Sequence, residues 1–153
     1  MTDPLVSLRV ERVEPRVLHA LRRRVLRSDN PAISVADPRD EEETSRHYGG
    51  FLGERLVVSA SFYPSPSPVN PELRSYQLRY MATDFDQQGF GYGAAVLDFA
   101  EAELRGLGVQ QVWANGRDSA LGFYQATGWL AVEGSQHVSA VTQLPHTVIF
   151  RIL

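Results

Sequence analysis

The chain has 153 residues, of which 43% are hydrophobic and 22% are charged, and its formal net charge is −3. This length predicts one domain over residues 1–153 with a proper hydrophobic core, and the slightly acidic balance argues against a surface that binds nucleic acid. The sequence contains no cysteine and its fifteen basic residues are all arginine, which excludes disulfides, thiolate metal sites, a cysteine nucleophile and a lysine Schiff base.

No apolar run approaches the roughly 20 residues that a membrane-spanning helix needs. The opening run MTDPLVSLRV lacks the basic and apolar pattern of a secretory signal. Four scattered histidines do not have the spacing that is typical of a metal site. We therefore expect a cytoplasmic protein that contacts neither a membrane nor nucleic acid and binds no metal.

The first half of the chain predicts a strand, a helix and two more strands. Apolar and polar residues alternate over 5–13, as in a strand, and Pro15 suits the start of a helix whose apolar positions follow at helical spacing. The acidic cluster over 37–43 indicates either a solvated loop or helix start, or a lip that attracts a cationic substrate. Residues 48–64 predict two strands around a Gly-Glu-Arg turn.

The second half alternates strands with helices, so the sheet should be mixed rather than purely parallel. The longer of its two helices has its predicted apolar face at Tyr92, Ala95, Val96, Phe99 and Ala102. The predicted elements, in order, are a strand over 75–85, a helix over 91–105, a strand over 109–115, a helix between Asp118 and Gly128, and strand-like runs over 129–138 and 146–153.

The run DQQGFGYG over 86–93 lies where a predicted strand meets a predicted helix, and it contains three glycines at alternate positions. Uncovered N–H groups and the helix dipole make such a junction a ready anion site. A plain tight turn is the simpler interpretation, but three glycines at the mouth of a helix favour a phosphate-type ligand.

A dinucleotide fingerprint would match this run loosely through Gly89, Gly91 and Ala94. That fingerprint requires an acidic residue at the end of the next strand, where this chain has Asn115. A P-loop requires a lysine, which the chain lacks. Both interpretations are therefore weaker than an anion site of another kind.

The pattern Q-x-x-G-x-G formed by Gln88, Gly91 and Gly93 resembles the signature of the GCN5-related N-acetyltransferases. The run over 113–129 resembles the second signature of that family, and the Leu-Pro-His run at 144–146 resembles a terminal motif of a bacterial subset. Together these motifs cover about residues 47–153. The resemblance implies a small single-domain member with a mixed α/β fold, α+β in character. Its mostly antiparallel sheet would have six or seven strands, flanked by about four helices and splayed at the acetyl-CoA site.

The resemblance also implies where acetyl-CoA, as co-substrate, would bind. The loop amides would wrap its diphosphate, the strand at 81–83 would offer backbone groups to the pantetheine arm, and Asn115 would hydrogen-bond the pantetheine amides. The residues expected at this site are Met81, Ala82, Thr83, Gln88, Gly89, Phe90, Gly91, Tyr92, Gly93, Asn115, Ser119, Phe123 and Tyr124.

Tyr124 is the expected general acid, because a phenol stays protonated at neutral pH and its ordinary pKa lies close to that of a thiol. Phe123 is expected to be the core-packing member of the aromatic pair. The general base is left open among His146, Asp84, His47, Glu72 and a water relay. His47, Arg79 and His146 are the expected contacts to the acceptor substrate.

The implied function is an acetyl-CoA-dependent N-acetyltransferase that acts on a primary amine of a small molecule or peptide by direct attack in a ternary complex. A non-catalytic acyl-CoA-binding module is the alternative, and a dinucleotide-binding domain is a distant third. A homodimer is left open, because the C-terminal run over 146–153 is apolar enough either to pair at a sheet edge or to belong to the core.

Overall fold

The structure is a computed structural model, and it describes residues 7–153. The start of the predicted first strand, at residues 5 and 6, lies outside the described residues. The described strands are β1 (Leu8–Arg12), β2 (Arg46–Leu52), β3 (Arg55–Pro64), β4 (Ser75–Thr83), β5 (Gln111–Arg117), β6 (Leu130–Ala131), β7 (His137–Val138) and β8 (Pro145–Ile152). The α-helices are α1 (His19–Leu26), α2 (Tyr92–Gly106) and α3 (Leu121–Ala126), and short 3₁₀ turns occupy Pro15–Leu18, Phe85–Gln87 and Asp118–Ala120.

All the strands belong to one sheet, in the order β1-β2-β3-β4-β5-β8-β6, with β7 paired to β8. Every pairing is antiparallel except that of β4 with β5, which is parallel. The mixed, mostly antiparallel sheet of the prediction is therefore confirmed. The strand β8 lies inside the sheet between β5 and the short strands β6 and β7, so it offers no free edge of the kind that the sequence left open for a dimer.

The parallel contact is short, because only residues 75–77 of β4 pair with residues 111–113 of β5. Beyond this point the two strands diverge, as the predicted splay requires. A bulge also interrupts the pairing of β3 with β4, and Tyr80 takes a left-handed φ of +57° there. The Ser59 hydroxyl donates a hydrogen bond of 2.9 Å to the Tyr80 carbonyl, which holds the irregular backbone in place.

The helices α1 and α2 lie on opposite faces of the sheet, because neighbouring residues of a strand point to opposite sides. The Tyr48 hydroxyl donates to Glu103 of α2 over 2.9 Å. The ring of the preceding residue, His47, is hydrogen-bonded to Ser61 over 2.7 Å, and Ser61 also accepts from Arg22 of α1 over 2.7 Å. The two faces of the sheet therefore present different side chains.

The α1 helix is fixed by a buried ion pair between Arg22, which is fully buried, and Asp40 at 2.9 Å. Burial alone would raise the pKa of Asp40, but hydrogen bonds from Arg22 and Tyr63 outweigh it and hold the pKa well below its usual range. The acidic cluster is thus divided: Asp37 and Asp40 are buried and paired with arginines, whereas residues 41–43 are exposed. Neither a wholly solvated loop nor a lip for a cationic substrate describes the buried half.

Three α-helices, rather than about four, occur within residues 7–153, because turns replace any helix over 28–45. Prolines at 31 and 38 oppose a helix there. The strand-like run predicted over 129–138 is not continuous: it consists of two strands of two residues each, β6 and β7, separated by a turn in which Gly134 has a φ of +79°. This division brings the count of described strands to eight.

The predicted apolar face of α2 was partly wrong. Ala95, Phe99 and Ala102 are exposed, because the helix is rotated so that the positions beside them face the sheet. The buried apolar positions of α2 are Gly93, Val96, Leu97, Ala100 and Leu104.

None of the helices in residues 7–153 combines the length and the apolar character that crossing a membrane would require.

The buried face of α2 also includes a carboxyl group, Glu101, which is 2% exposed and lies 3.5 Å from Arg151. Burial raises the pKa of Glu101 to about 7, against the opposing effect of Arg151. The folded pKa exceeds the unfolded value of 4.5, so the folded state binds the proton more tightly. Ionisation of Glu101 therefore reduces stability as the pH rises from about 4.5 to 7.

Glu101→Gln is expected to stabilise the protein relative to wild type at pH 8 and to change its stability little at pH 5. The shift from 4.5 to about 7 sets an upper limit of about 3 kcal/mol on the gain. Urea unfolding at both pH values measures the difference, and Glu133→Gln, at an exposed position, is the control. An equal effect of Glu101→Gln at both pH values would contradict this account.

Candidate active site

The divergence of β4 from β5 opens a cavity of about 410 Å³ between the two strands. The end of α1, the start of α3 and the segment before β8 complete its wall. The lining residues are Leu26, Arg27, Gln77, Leu78, Arg79, Tyr80, Met81, Ala114, Asn115, Gly116, Arg117, Ala120, Tyr124, His137, Val138, Ser139, Ala140, Val141, Thr142 and His146.

The glycine loop lies beside this cavity at the start of α2. No acceptor among residues 7–153 takes a hydrogen bond from the backbone N–H groups of residues 88–94. Gly89 and Gly91 have left-handed φ values of +86° and +82°, and a Cβ at either position would meet nothing within 4 Å. The space in front of these amides is therefore open, and the loop can receive a bulky anion.

Gly93 has a different role from its two neighbours. A Cβ there would lie 3.1 Å from the Phe123 ring and 3.2 Å from the Met81 methyl group, so glycine allows α2 and α3 to approach each other. Phe123 is 37% exposed and Tyr124 only 6%. The prediction that Phe123 is the core-packing member of the pair was therefore wrong, because α3 turns Tyr124 inward and leaves Phe123 at the edge of the loop.

Tyr124 lies in the wall of the cavity, with its ring 5.5 Å from that of Trp129. Burial raises the pKa of Tyr124 well above its ordinary value, and the nearby charge of Arg117 opposes this effect. No group within residues 7–153 forms a hydrogen bond with the Tyr124 hydroxyl. The phenol is thus held protonated and has a donor to offer.

The structure brings five of the predicted site residues together around the cavity: Met81, Asn115, Tyr124, Arg79 and His146. The glycine loop is separate from the cavity lining. It is joined to the cavity by the end of β4, where the side-chain amide of Gln88 donates a hydrogen bond of 3.1 Å to the Thr83 carbonyl. Ala82 is buried and pairs with β3. Ser119 is exposed on the turn before α3, outside the cavity lining.

His47 lies away from the cavity, within the buried network on the α1 face. Its two ring nitrogens contact the Ser61 hydroxyl and the Asp40 carbonyl at 2.7 and 2.9 Å, and burial lowers its pKa. Two other candidates for the general base are also outside the lining: Asp84 pairs with arginines, and Glu72 is an exposed loop residue.

His146 is the second residue of β8. It is 7% exposed and lines the cavity. Its Nδ1 lies 2.8 Å from the Leu144 carbonyl, which can only accept, so Nδ1 carries the proton. In the neutral ring, Nε2 then has a free lone pair. This arrangement suits a proton acceptor in the cavity wall.

The polar residues of the cavity wall that sequence reasoning missed include four that can carry charge or donate from a ring: Arg27, Tyr80, Arg117 and His137. Strand alternation could have revealed Arg117, which lies two positions after Asn115 and therefore on the same side of β5. The other three gave no signal, because a run of arginines, a strand tyrosine and a loop histidine are ordinary surface patterns. The described residues contain no group of three or more His, Asp or Glu side chains that could hold a metal ion.

A family model described as the acetyltransferase (GNAT) family matches residues 16–129. The chain belongs to this family. The matched range contains the glycine loop, the splayed strands and Tyr124. Two of the three motifs that carried the resemblance, the glycine loop and the run over 113–129, therefore lie within the matched range, and the Leu-Pro-His run at 144–146 lies outside it.

Several solved structures share the fold at low sequence identity. A Bacillus subtilis acetyltransferase in complex with CoA is 16% identical, with a TM-score of 0.69, and the match covers 96% of this chain and 99% of that one. Escherichia coli ElaA is 18% identical, with a TM-score of 0.71 and coverage of 96% and 99%. A ribosomal-protein-alanine N-acetyltransferase from Brucella melitensis is 16% identical, with a TM-score of 0.72 and coverage of 95% and 99%.

Gly91→Ala and Gly91→Asn are expected to separate the backbone role of the glycine loop from its ligand role. Alanine is strained at a φ of +82° and should lower the free energy of unfolding by about 1–2 kcal/mol. Asparagine tolerates this φ but fills the open space, so it should keep the stability and weaken CoA binding about tenfold or more.

The matched control is Gly53→Ala, which has the same kind of strain, a φ of +58°, in the turn between β2 and β3. It should lower stability without changing CoA affinity. Chemical denaturation and calorimetric titration with CoA measure the two quantities. Unchanged CoA affinity in Gly91→Asn would remove the loop from the binding site.

Proposed function

We propose that this protein is an acetyl-CoA-dependent N-acetyltransferase that acetylates a primary amine of a small molecule or peptide. The observation that carries the proposal is that the unpaired amides of residues 88–94 lie next to a cavity lined by Tyr124 and His146, because Met81 of the cavity wall packs against Gly93 at the start of α2. A cofactor-binding module would need the amides and the cleft but not two proton-transfer groups within it.

The loop suits the diphosphate of acetyl-CoA. Its amides are fixed in direction by the turn and by α2, whose dipole adds positive potential at the same place. The cleft between β4 and β5 would then take the pantetheine arm, because the β4 edge beyond Gln77 has no strand partner. A family structure with CoA bound and the same fold supports this assignment.

Acetyl transfer forms a C–N bond to the amine and breaks the C–S bond of the thioester, while the amine loses a proton and the sulfur gains one. The residues of this chain have to orient the two reactants, accept one proton and donate the other. The divergent strands bring both reactants to one cavity, which allows direct attack in a ternary complex.

Tyr124 is the proposed proton donor to the sulfur. Its burial keeps the phenol protonated, and its hydroxyl has no acceptor within residues 7–153 that would compete for the proton. Removing the hydroxyl should therefore affect turnover far more than binding.

His146 is the proposed proton acceptor, acting directly or through a water. Its bond to the Leu144 carbonyl fixes the ring tautomer, and its place in the cavity wall puts it within the space open to an acceptor amine.

Acetyl-CoA is expected to raise the melting temperature of the protein, because a ligand that binds only the folded state stabilises it. At a hundredfold excess over Kd the rise should be about 5–10 °C. NAD and NADP at the same concentration are the controls and should have no effect. Equal stabilisation by NAD, or none by acetyl-CoA, would contradict the proposal.

Tyr124→Phe and His146→Gln are each expected to lower kcat about a hundredfold, with little change in acetyl-CoA affinity. Tyr48→Phe is the control, because it removes another buried hydroxyl outside the cavity and should affect stability alone.

Thiol release from acetyl-CoA across a panel of amines measures these rates. Unchanged kcat in Tyr124→Phe would remove it as the acid. Strong acetyl-CoA binding with no amine accepted would favour the non-catalytic module instead.

A further inference from the structure

The polar wall of the cavity is cationic. Three arginines line it, Arg27, Arg79 and Arg117, and the lining includes no aspartate or glutamate. A cavity with this charge repels polyamines and other multiply charged cations. The sequence left open an acidic lip that would attract a cationic substrate. The charge of this cavity is the opposite of the charge that such a substrate would need.

The three arginines are not equivalent. Arg79 is 3.0 Å from the buried carboxylate of Asp37, so its charge is balanced. Neither Arg27 nor Arg117 lies within 4.0 Å of any carboxylate in residues 7–153. Each instead donates one N–H to the same acceptor, the Leu26 carbonyl, over 3.0 Å.

Two guanidinium groups that meet at one carbonyl are unfavourable unless an anion joins them. Burial lowers the pKa of both arginines, and Arg117 lowers that of Arg27 further. The Nε of Arg27 is buried and has no acceptor within residues 7–153. The pair therefore has unused donors as well as unbalanced charge.

A purely structural role for the pair would be to cap the C-terminal end of α1. The helix dipole places only about half a negative charge there, which cannot balance two full positive charges. One carbonyl likewise uses one N–H of each guanidinium, although each has five N–H donors. Capping thus explains one hydrogen bond per arginine and leaves the rest without a partner.

The anion is not the diphosphate of acetyl-CoA, which the proposed function assigns to the loop before α2. Arg27 ends α1, and Arg117 reaches the last carbonyl of α1, so both belong to the face opposite α2. An anion at this pair would therefore belong to the acceptor molecule.

We propose that the acceptor is an amine that carries a carboxylate, as in a free α-amino or short ω-amino acid, and that Arg27 and Arg117 bind this carboxylate. Guanidinium groups match a carboxylate with paired N–H bonds, and this contact would place the amine in the cavity beside Tyr124 and His146. The inference rests on the proposed function and names its substrate class.

The test compares free amino acids with their neutral counterparts in the presence of acetyl-CoA. The panel contains the twenty standard α-amino acids, β-alanine and γ-aminobutyrate, each matched with its primary amide, together with spermidine and aminomethylphosphonate. At least one amino acid should release thiol with a KM about tenfold or more below that of its amide. Spermidine should be a poor acceptor.

Arg117→Gln and Arg27→Gln should raise the KM for the preferred amino acid about tenfold or more. The KM for its amide should stay within about twofold. Arg117→Lys, which keeps the charge without the fork, should fall between wild type and Arg117→Gln. Arg16→Gln, at an 80% exposed side chain on the protein surface, is the matched control and should change neither KM.

An amide accepted as well as its acid, or spermidine or the phosphonate as the best acceptor, would overturn the inference while leaving the acetyltransferase proposal intact. If a variant lowers the melting temperature but leaves the ratio of the KM for the acid to the KM for the amide unchanged, the pair acts only as a cap of α1. That result would also overturn the inference. If a glutamine variant does not fold, the ratio of the two KM values in the wild-type protein tests the inference.

If no amine releases thiol, the proposed function fails, and ligand binding then decides the inference separately. In that case amino acids should still raise the melting temperature of the CoA-bound protein more than their amides do. No difference between the two would overturn the carboxylate site as well.

Discussion

The parallel contact between β4 and β5 ends after three residues of each strand, and the site depends on this early end. Continued pairing would satisfy the strand edges and leave no cavity. The divergence instead leaves backbone groups on β4 without a strand partner and opens about 410 Å³ between the strands. The bulge at Tyr80, held by Ser59, shapes the β4 side of this opening. The buried pair of Arg22 with Asp40 fixes α1, whose end contributes Leu26 to the cavity wall.

The opening joins the two faces of the sheet, and each face has its own chemistry. On the α2 face, a loop of unpaired amides is suited to a diphosphate. On the α1 face, arginines without carboxylate partners are suited to a carboxylate. Under the proposed function, acetyl-CoA and the carboxylate-bearing acceptor would reach one cavity from opposite sides and bind to different groups.

Local sequence predicted much of this arrangement. The alternation of apolar residues predicted the long strands, and the glycines at 89 and 91 predicted the loop, because their left-handed backbone has few other residue choices. Long-range packing decided what local pattern could not. Phe123 and Tyr124 are neighbours in one helix, and only the way α3 lies against Trp129 and the loop determines which ring is buried. The pairing of Asp37 and Asp40 with distant arginines was likewise invisible in an acidic run.

By itself the sequence determined the family, the glycine loop and the aromatic pair at 123–124, since these are motifs of short range that residue type and spacing reveal. The tertiary structure alone decided the positive charge of the cavity lining. Arg27 and Arg117 are ninety residues apart in the chain and meet only because α1 ends beside the open edge of β5. Charge that is assembled across such a distance has no signature in local sequence, because the same arginines on another surface would be balanced by solvent and salt.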